Sequence, residues 1–286
     1  MGFPKIFADS RIMPPKKRAK KRVTSSKDIR CTENETEPKQ MKRKLIFQLK
    51  DVVRATVVNR PSKTIKSPYM ADITLDSDLA TSVLCHSPSL GCAGIIVPGT
   101  RAIVTPKTDK NSKSKSKYSL DLVDIGSSII GVNPLTCNKM TRLALEDGLV
   151  QGLPCFEKSE IKAECSVGES RFDFKCVKDE VEYFIEVKGV PCACIEDVPR
   201  SPSKKLKNID EINKAAHKIA YFPDGYRKKS EEAISPRALK HVEHLQRLLE
   251  EDNSRVCVLL FIVQRTDCQV FQPSHNDPLY RHRSWM

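Results

Sequence analysis

Arg171-Phe172-Asp173-Phe174, followed by Ile185-Glu186-Val187-Lys188, is the stretch on which the fold turns. Side chains two apart on a strand share a face, so Glu186 and Lys188 project together. If the two segments form a hairpin turning at Asp179-Glu180, facing residues sum to 359 and Asp173 lies opposite Glu186. Asp-Glu is not a favoured two-residue turn, so a longer loop with the same register is the alternative. Two carboxylates with Cβ atoms about 5 Å apart destabilise a sheet unless a cation lies between them. A hard divalent ion such as Mg²⁺, with Mn²⁺ as a substitute, keeps several waters and takes one or two protein carboxylates. Lys188 would then orient or deprotonate an attacking water for phosphodiester hydrolysis. The same three side chains also read as a solvated strand face, since Glu-X-Lys is common.

The flanking sequence makes this an α/β-type region spanning 133–286. Ile161–Val167, Phe172–Val177 and Val181–Val187 are strand-length, the first two joined by a Gly168-Glu169 turn. Asn133-Pro134 supplies a helix cap with proline at the first helical position, Met140, Leu143 and Ala144 form the apolar stripe, and Gly148 is a stop. Ser235-Pro236 opens a later helix in which Ala238, Val242, Leu245 and Leu249 recur at helical spacing. The unbroken apolar run to Val263 that follows predicts a strand covered on both faces.

Upstream, residues 47–132 have the texture of a small barrel. Val52 to Val58, Met70–Leu75, Thr81–Cys85, Ala102–Thr105 and Tyr118–Ile125 are short strands separated by turn signals such as Arg60-Pro61-Ser62 and Pro98-Gly99. Lys107–Lys117, with Lys113, Lys115 and Lys117, is a cationic loop between two of them. In a nucleic-acid-binding barrel it would touch phosphates; otherwise it is solvated surface. His86 reads as a structural residue near a turn.

Residues 1–46 carry 14 Lys/Arg against 5 Asp/Glu and few large apolar side chains, which predicts a disordered basic tail. The other 240 residues carry 35 against 31, so the net charge of +13 belongs mainly to the tail and by itself predicts no basic groove in the body. The run 14–22 (PPKKRAKKR) suits nuclear import if the organism has a nucleus, or a phosphate-contacting arm. Otherwise it is a solubilising tail on a cytoplasmic protein, with an organelle as a further address. No stretch of 18 apolar residues exists, which argues against a membrane partner. The 11 cysteines are odd in number and include no CxxC, so neither a disulfide scaffold nor a zinc ribbon is expected. No helix-turn-helix is recognisable, and nothing points to an organic cofactor.

"SRFDF…YFIEVKGV", "YFPDG", "SPRALKHVEHLQRLL" and "VCVLLFIVQRTDCQVFQP" together resemble the sugar fermentation stimulation protein (SfsA) family. "LCHSPSLGCAGIIVPGT" resembles its His-x-Pro-Asn-x-Gly segment, with Ser89 in place of Asn. The resemblance runs from about residue 48 to 280. It implies an OB-like N-terminal barrel followed by a mixed-sheet domain with the PD-(D/E)xK nuclease-type core, an α+β or α/β class. It also implies DNA binding, single- or double-stranded, with little sequence preference. Asp173, Glu186 and Lys188 fall on the core's acid, acid and lysine positions, and Glu160 becomes a further candidate metal ligand. Arg171, Arg237, Lys240 and His241 become candidate phosphate contacts, the last three on the exposed first turns of a helix whose N-terminus also favours anions. Asp224 matches the family's Phe-Pro-Asp loop. A Mg²⁺-dependent DNA nuclease and an RNA-binding or RNA-processing protein are the alternative functions. Departures from the family include an insertion in 189–220 and the end at Met286, ahead of a family helix and strand, which predicts a missing sheet edge or a longer chain.

Overall fold

The computed structural model describes residues 5–8, 45–90, 92–108, 114–195, 209–225 and 232–285. Its first strand, β1 (Lys5–Ala8), joins a sheet built much later in the chain. The barrel comes next: β2 (Val53–Asn59), β3 (Met70–Leu75), β4 (Asp78–His86), β5 (Arg101–Pro106) and β6 (Tyr118–Asp124). Neighbours in the order β4-β3-β2-β5-β6 are antiparallel, and β6 returns to pair with β4 in parallel, through Cys85↔Tyr118 and His86↔Ser119. That single parallel seam closes a five-stranded barrel of OB type. Its interior is small because its lining is small: Ala55, Val57, Ala71, Ile73, Ala102, Val104 and Leu120 are all buried. β7 (Ile129–Gly131) adds to β6 outside the closed ring.

One carboxylate carries the barrel into the second domain. Asp121, on β6, is buried and accepts hydrogen bonds from Thr105 Oγ1 and Asn133 Nδ2, both at 2.7 Å. The Asn133 Oδ1 in turn accepts from Leu135 N (3.0 Å), capping α1 (Pro134–Glu146). The helix ends where expected, with Gly148 at φ +63.

The second domain contains β8 (Ile161–Val167), β9 (Ser170–Lys178), β10 (Val181–Val190), β11 (Ala193–Cys194), α2 (Ile209–Lys214), β12 (Ile219–Phe222), α3 (Pro236–Glu251), β13 (Val256–Val263), β14 (Val270–Pro273) and α4 (Pro278–Trp285). The main sheet has the order β1-β13-β10-β9-β8, with β8-β9-β10 an antiparallel meander and β13 parallel to β10. Helix α1 covers one face, where Cys137, Ala144 and Leu145 meet Phe174, Ile185, Val187 and Leu260. Helix α3 covers the other, where Ala238 and Val242 meet Leu259, Phe261 and Val263. Hence β13 is apolar at every position. This α-β-β-β-α-β arrangement is the expected mixed-sheet domain.

Two findings adjust the sequence reading. Lys5–Ala8, within the predicted tail, pairs antiparallel with β13 and forms an edge of the main sheet. An unpaired β13 would present a row of free backbone donors and acceptors, which is the physical reason an extra strand settles there. At the tail's other end Ile46 packs on the core beneath α1, while residues 9–44, including the run 14–22, lie outside the described residues. The insertion supplies β11, α2 and part of a small sheet ordered β11-β12-β14, while Lys204–Lys207 also lie outside them.

Gln264, just past β13, is clamped at the junction of barrel and sheet. Its carbonyl accepts from Gly131 N (2.8 Å) and its own N–H donates to Val190 O (3.0 Å). A Cβ on Gly189 would stand 2.6 Å from Gln264 Oε1 and 3.0 Å from Cys137 Sγ, and one on Gly131 would stand 2.8 Å from Gln264 Nε2. The amide therefore has no room to retreat. Gly189→Ala is expected to cost about 1–3 kcal/mol, read as a lower midpoint in urea unfolding. An unchanged midpoint would show that Gln264 can swing away.

Candidate active site

The hairpin that builds the site turns at Asp179-Glu180, the tighter of the two readings the sequence allows. Lys178 pairs directly with Val181, and Asp179 and Glu180 both adopt positive φ (+50 and +64). These are the backbone angles of a two-residue type I′ turn, whose twist matches the strands, here without the usual Gly or Asn. The ladder then follows the 359 register through Ile185↔Phe174.

At Asp173 the ladder stops. Its Oδ2 accepts the Val187 N–H at 2.8 Å, and its Oδ1 accepts from Asn138 Nδ2, on α1, at 2.7 Å. Glu186 and Lys188 remain in register with Leu259 and Phe261 of β13. Glu186 is 3% exposed, and its Oε1 accepts from both Lys188 Nζ and His241 Nδ1. Its Oε2 is buried with no hydrogen-bond partner. Burial, then the neighbouring Glu186 charge, pushes the Asp173 carboxyl up. Burial also opposes ionisation of Glu186, but the His241 hydrogen bond and the Lys188 charge outweigh it and hold that carboxyl below its usual range. Two acids of opposite tendency thus share one centre.

The donor chemistry fits a hard divalent cation. Glu186 Oε2 is an oxygen donor that is desolvated and unmatched, and an unpaired buried carboxylate oxygen carries a desolvation penalty that a cation would remove. Among the described residues no three His, Cys, Asp or Glu side chains group into a ready metal cage. The fit is therefore to an ion such as Mg²⁺, which fills much of its shell with water or phosphate oxygens.

The remaining candidates divide. Glu160 stays away from the pair: its Oε2 accepts from Glu157 N (2.7 Å) in a capping box and lies 3.8 Å from Lys178 Nζ, toward the hairpin's turn end. Arg171 is exposed and paired with Glu164. Arg237 is exposed in the first turn of α3, and Lys240 is exposed and 2.9 Å from Glu169. His241, expected on the exposed side of that helix, is instead buried against Glu186 and Phe172. The reason was in the sequence: position 241 falls on the same stripe as Ala238, Val242 and Leu245. Lys115 and Lys117 are exposed on the barrel loop, and Lys113 lies outside the described residues. Asp224 accepts from the Tyr221 hydroxyl at 2.7 Å and neighbours the buried thiols of Cys92 and Cys192, so the Phe-Pro-Asp loop comes up to the barrel domain at Cys92. His86 is partly buried, and that burial pushes its titration down. Asn138 carried no motif to single it out.

The profile described as "Sugar fermentation stimulation protein RE domain" matches residues 136–203 and 205–284. The chain belongs to the SfsA family. A sugar fermentation stimulation protein homolog of Carboxydothermus hydrogenoformans is 28% identical over 213 residues, 74% of this chain and 76% of that one. One of Ruminiclostridium cellulolyticum is 28% identical over 230 residues, 80% and 81% of the two chains. The solved structure of Pyrococcus furiosus SfsA in complex with Ca²⁺ superposes with a TM-score of 0.60 at 18% identity, covering 84% of this chain and 85% of that one, so the SfsA fold is shared.

Proposed function

We propose that this SfsA-family chain binds DNA with little sequence preference, and that Asp173, Glu186 and Lys188 form a divalent-cation centre facing the bound phosphodiester. The observation that carries this reading is the buried acid–acid–lysine cluster at the point where β9 and β10 part, with Glu186 Oε2 unmatched. The barrel supports the binding half. In an OB fold, the loops after the first and fourth strands handle oligonucleotides. Here those loops expose Lys63, Lys66 and Tyr69 on one side, and Lys107, Lys115 and Lys117 on the other. Arg237 lies exposed in the first turn of α3, two residues beyond its Ser235 cap, where backbone N–H groups favour anions.

Hydrolysis is the second reading, favoured by Lys188 being held on Glu186. A bound Mg²⁺ or Mn²⁺ would neutralise phosphate charge and acidify water. Lys188 would orient the attacking water, Asp173 and Glu186 would hold the cation, and Asn138 with the Val187 N–H would fix the Asp173 carboxylate. The Ca²⁺ named for the Pyrococcus furiosus protein accords with such a centre. No described helix is long and apolar enough to cross a membrane. The two homologs of Carboxydothermus and Ruminiclostridium are bacterial, so a nuclear address has only the run 14–22 behind it.

The test compares the wild type with the Asp173→Ala, Glu186→Ala double variant on labelled single-stranded DNA, duplex DNA and RNA, with Mg²⁺, Mn²⁺ or EDTA. Both proteins are expected to bind DNA, with affinity falling at least about tenfold between 50 and 200 mM salt as counterions are released. Cleavage by the wild type alone, only with metal, supports hydrolysis. Binding without cleavage leaves a DNA-binding module. Binding of RNA but not DNA overturns the proposal.

A further inference from the structure

The Asp277-Pro278-Leu279-Tyr280 segment is built around one buried carboxylate. Asp277 Oδ1 accepts from Tyr280 N (3.0 Å), capping α4, and its Oδ2 accepts from Ile234 N (2.7 Å), directly ahead of the Ser235 cap of α3. The beginnings of the two helices are thereby fixed to each other. Helix α3 delivers His241 to Glu186, and the same frame sets Tyr280 in place.

Tyr280 is 0% exposed. Its ring meets Phe222 edge-on at 5.4 Å and packs in the cluster of Ala238, Val242, Leu259 and Phe261. Leu259 and Phe261 are the β13 register partners of Glu186 and Lys188. Partners in register project from the same face of a sheet, so Tyr280 lies over the face that carries the acidic centre. Its hydroxyl is buried without a hydrogen-bond partner, as is Glu186 Oε2. A phenylalanine would pack as well and spare the cost of desolvating the hydroxyl. Two unmatched polar atoms, one a donor and one an acceptor, thus stand on one face of the sheet.

We propose that Tyr280 is a positioning residue of the Glu186 centre, its hydroxyl donating to an oxygen ligand that Glu186 Oε2 shares when a divalent cation is bound. The inference rests on the cation reading of that centre. Burial, with the charges of Glu186 and Asp277, pushes the phenol far up, so the hydroxyl stays a donor across the working pH range.

The probe is Mn²⁺ alone, titrated calorimetrically into the full chain as wild type, Tyr280→Phe and the Asp173→Ala, Glu186→Ala variant, with melting temperatures recorded in EDTA. Tyr280→Phe is expected to bind Mn²⁺ about tenfold more weakly, the scale of losing a group that orients a ligand, while melting no lower than the wild type in EDTA. Equal Mn²⁺ affinity in wild type and Tyr280→Phe overturns the role of Tyr280 and leaves the cation reading standing. Absence of wild-type binding, or binding undiminished in the double variant, removes the cation reading and this inference with it. If Tyr280→Phe melts lower, Tyr280→Leu, which also loses the ring, decides. Affinity no weaker than in Tyr280→Phe assigns the loss to the hydroxyl, and affinity falling in step with melting temperature overturns the proposal.

Discussion

Asp267→Ala is expected to lower the melting temperature by about 6–20 °C, the largest stability effect of any single substitution proposed here. Arg265 grips the Asp267 carboxylate with both prongs, Nε to Oδ1 at 2.7 Å and Nη2 to Oδ2 at 2.8 Å. Lys218 Nζ reaches Oδ2 at 2.8 Å. Arg265 is 2% exposed and Lys218 4%, so removing the carboxylate strands two buried cations. Breaking a buried ion pair from one side costs about 3–5 kcal/mol, and in a chain of this size each kcal/mol shifts the midpoint by roughly 2–4 °C. The cluster also holds the two sheets together, since Arg265 follows β13, donates to Pro191 O (3.2 Å) and shares its acid with the residue ahead of β12.

The same carboxylate sets a pH dependence. Burial alone would raise its pKa, but the Arg265 and Lys218 hydrogen bonds bring it down to about 2. A folded value below the unfolded one gives stability that is fully present above the unfolded value of 3.8 and is lost as pH falls through that value toward about 2. The difference in melting temperature between wild type and Asp267→Ala should therefore be constant at neutral pH and shrink in acid. A difference under 2 °C at pH 7 would mean that water reaches both cations.

Asp173→Asn should reduce any metal-dependent cleavage by about 10³-fold, some 4 kcal/mol of transition-state stabilisation, while leaving the fold intact. The asparagine carbonyl can still accept the Val187 N–H, and Asn138 can turn its own carbonyl toward the new amide. What disappears is the charge. The Asp173 carboxyl is already pushed up by burial and by Glu186, so losing its ionised form also relieves repulsion, and the melting temperature without metal should hold or rise. The check is single-turnover cleavage of a labelled duplex beside a melt in EDTA. Cleavage kept near the wild-type rate would take Asp173 out of the chemistry.

The hairpin register, the two-faced burial of β13, the capped start of α1 and the barrel strands were legible because each rests on a period or a cap lying within a few residues. The position of the turn at Asp179-Glu180 was legible too, but its left-handed backbone was not. Positive φ at two acidic residues is selected by the twist of the strands they join, and the residues themselves give no sign of it. Glu160 followed from a motif but was diverted by a local capping box, a bond to a backbone three residues away. Arg265, Asp267 and Lys218 showed no pattern at all, since Lys218 arrives from the far side of a second sheet.

By itself the sequence determined the kinds of element, their order, and the placing of Asp173, Glu186 and Lys188 at one end of a hairpin, because alternation and capping are local forces. Only the tertiary structure decided what surrounds them. It turned His241 inward onto Glu186, brought Asn138 from α1 to Asp173, and packed Tyr280 with Leu259 and Phe261 on the sheet face that carries Glu186. Those outcomes depend on how α1, α3 and α4 pack on the sheet, and the free energy of that packing comes from burying apolar surface shared among distant segments. No single segment encodes it.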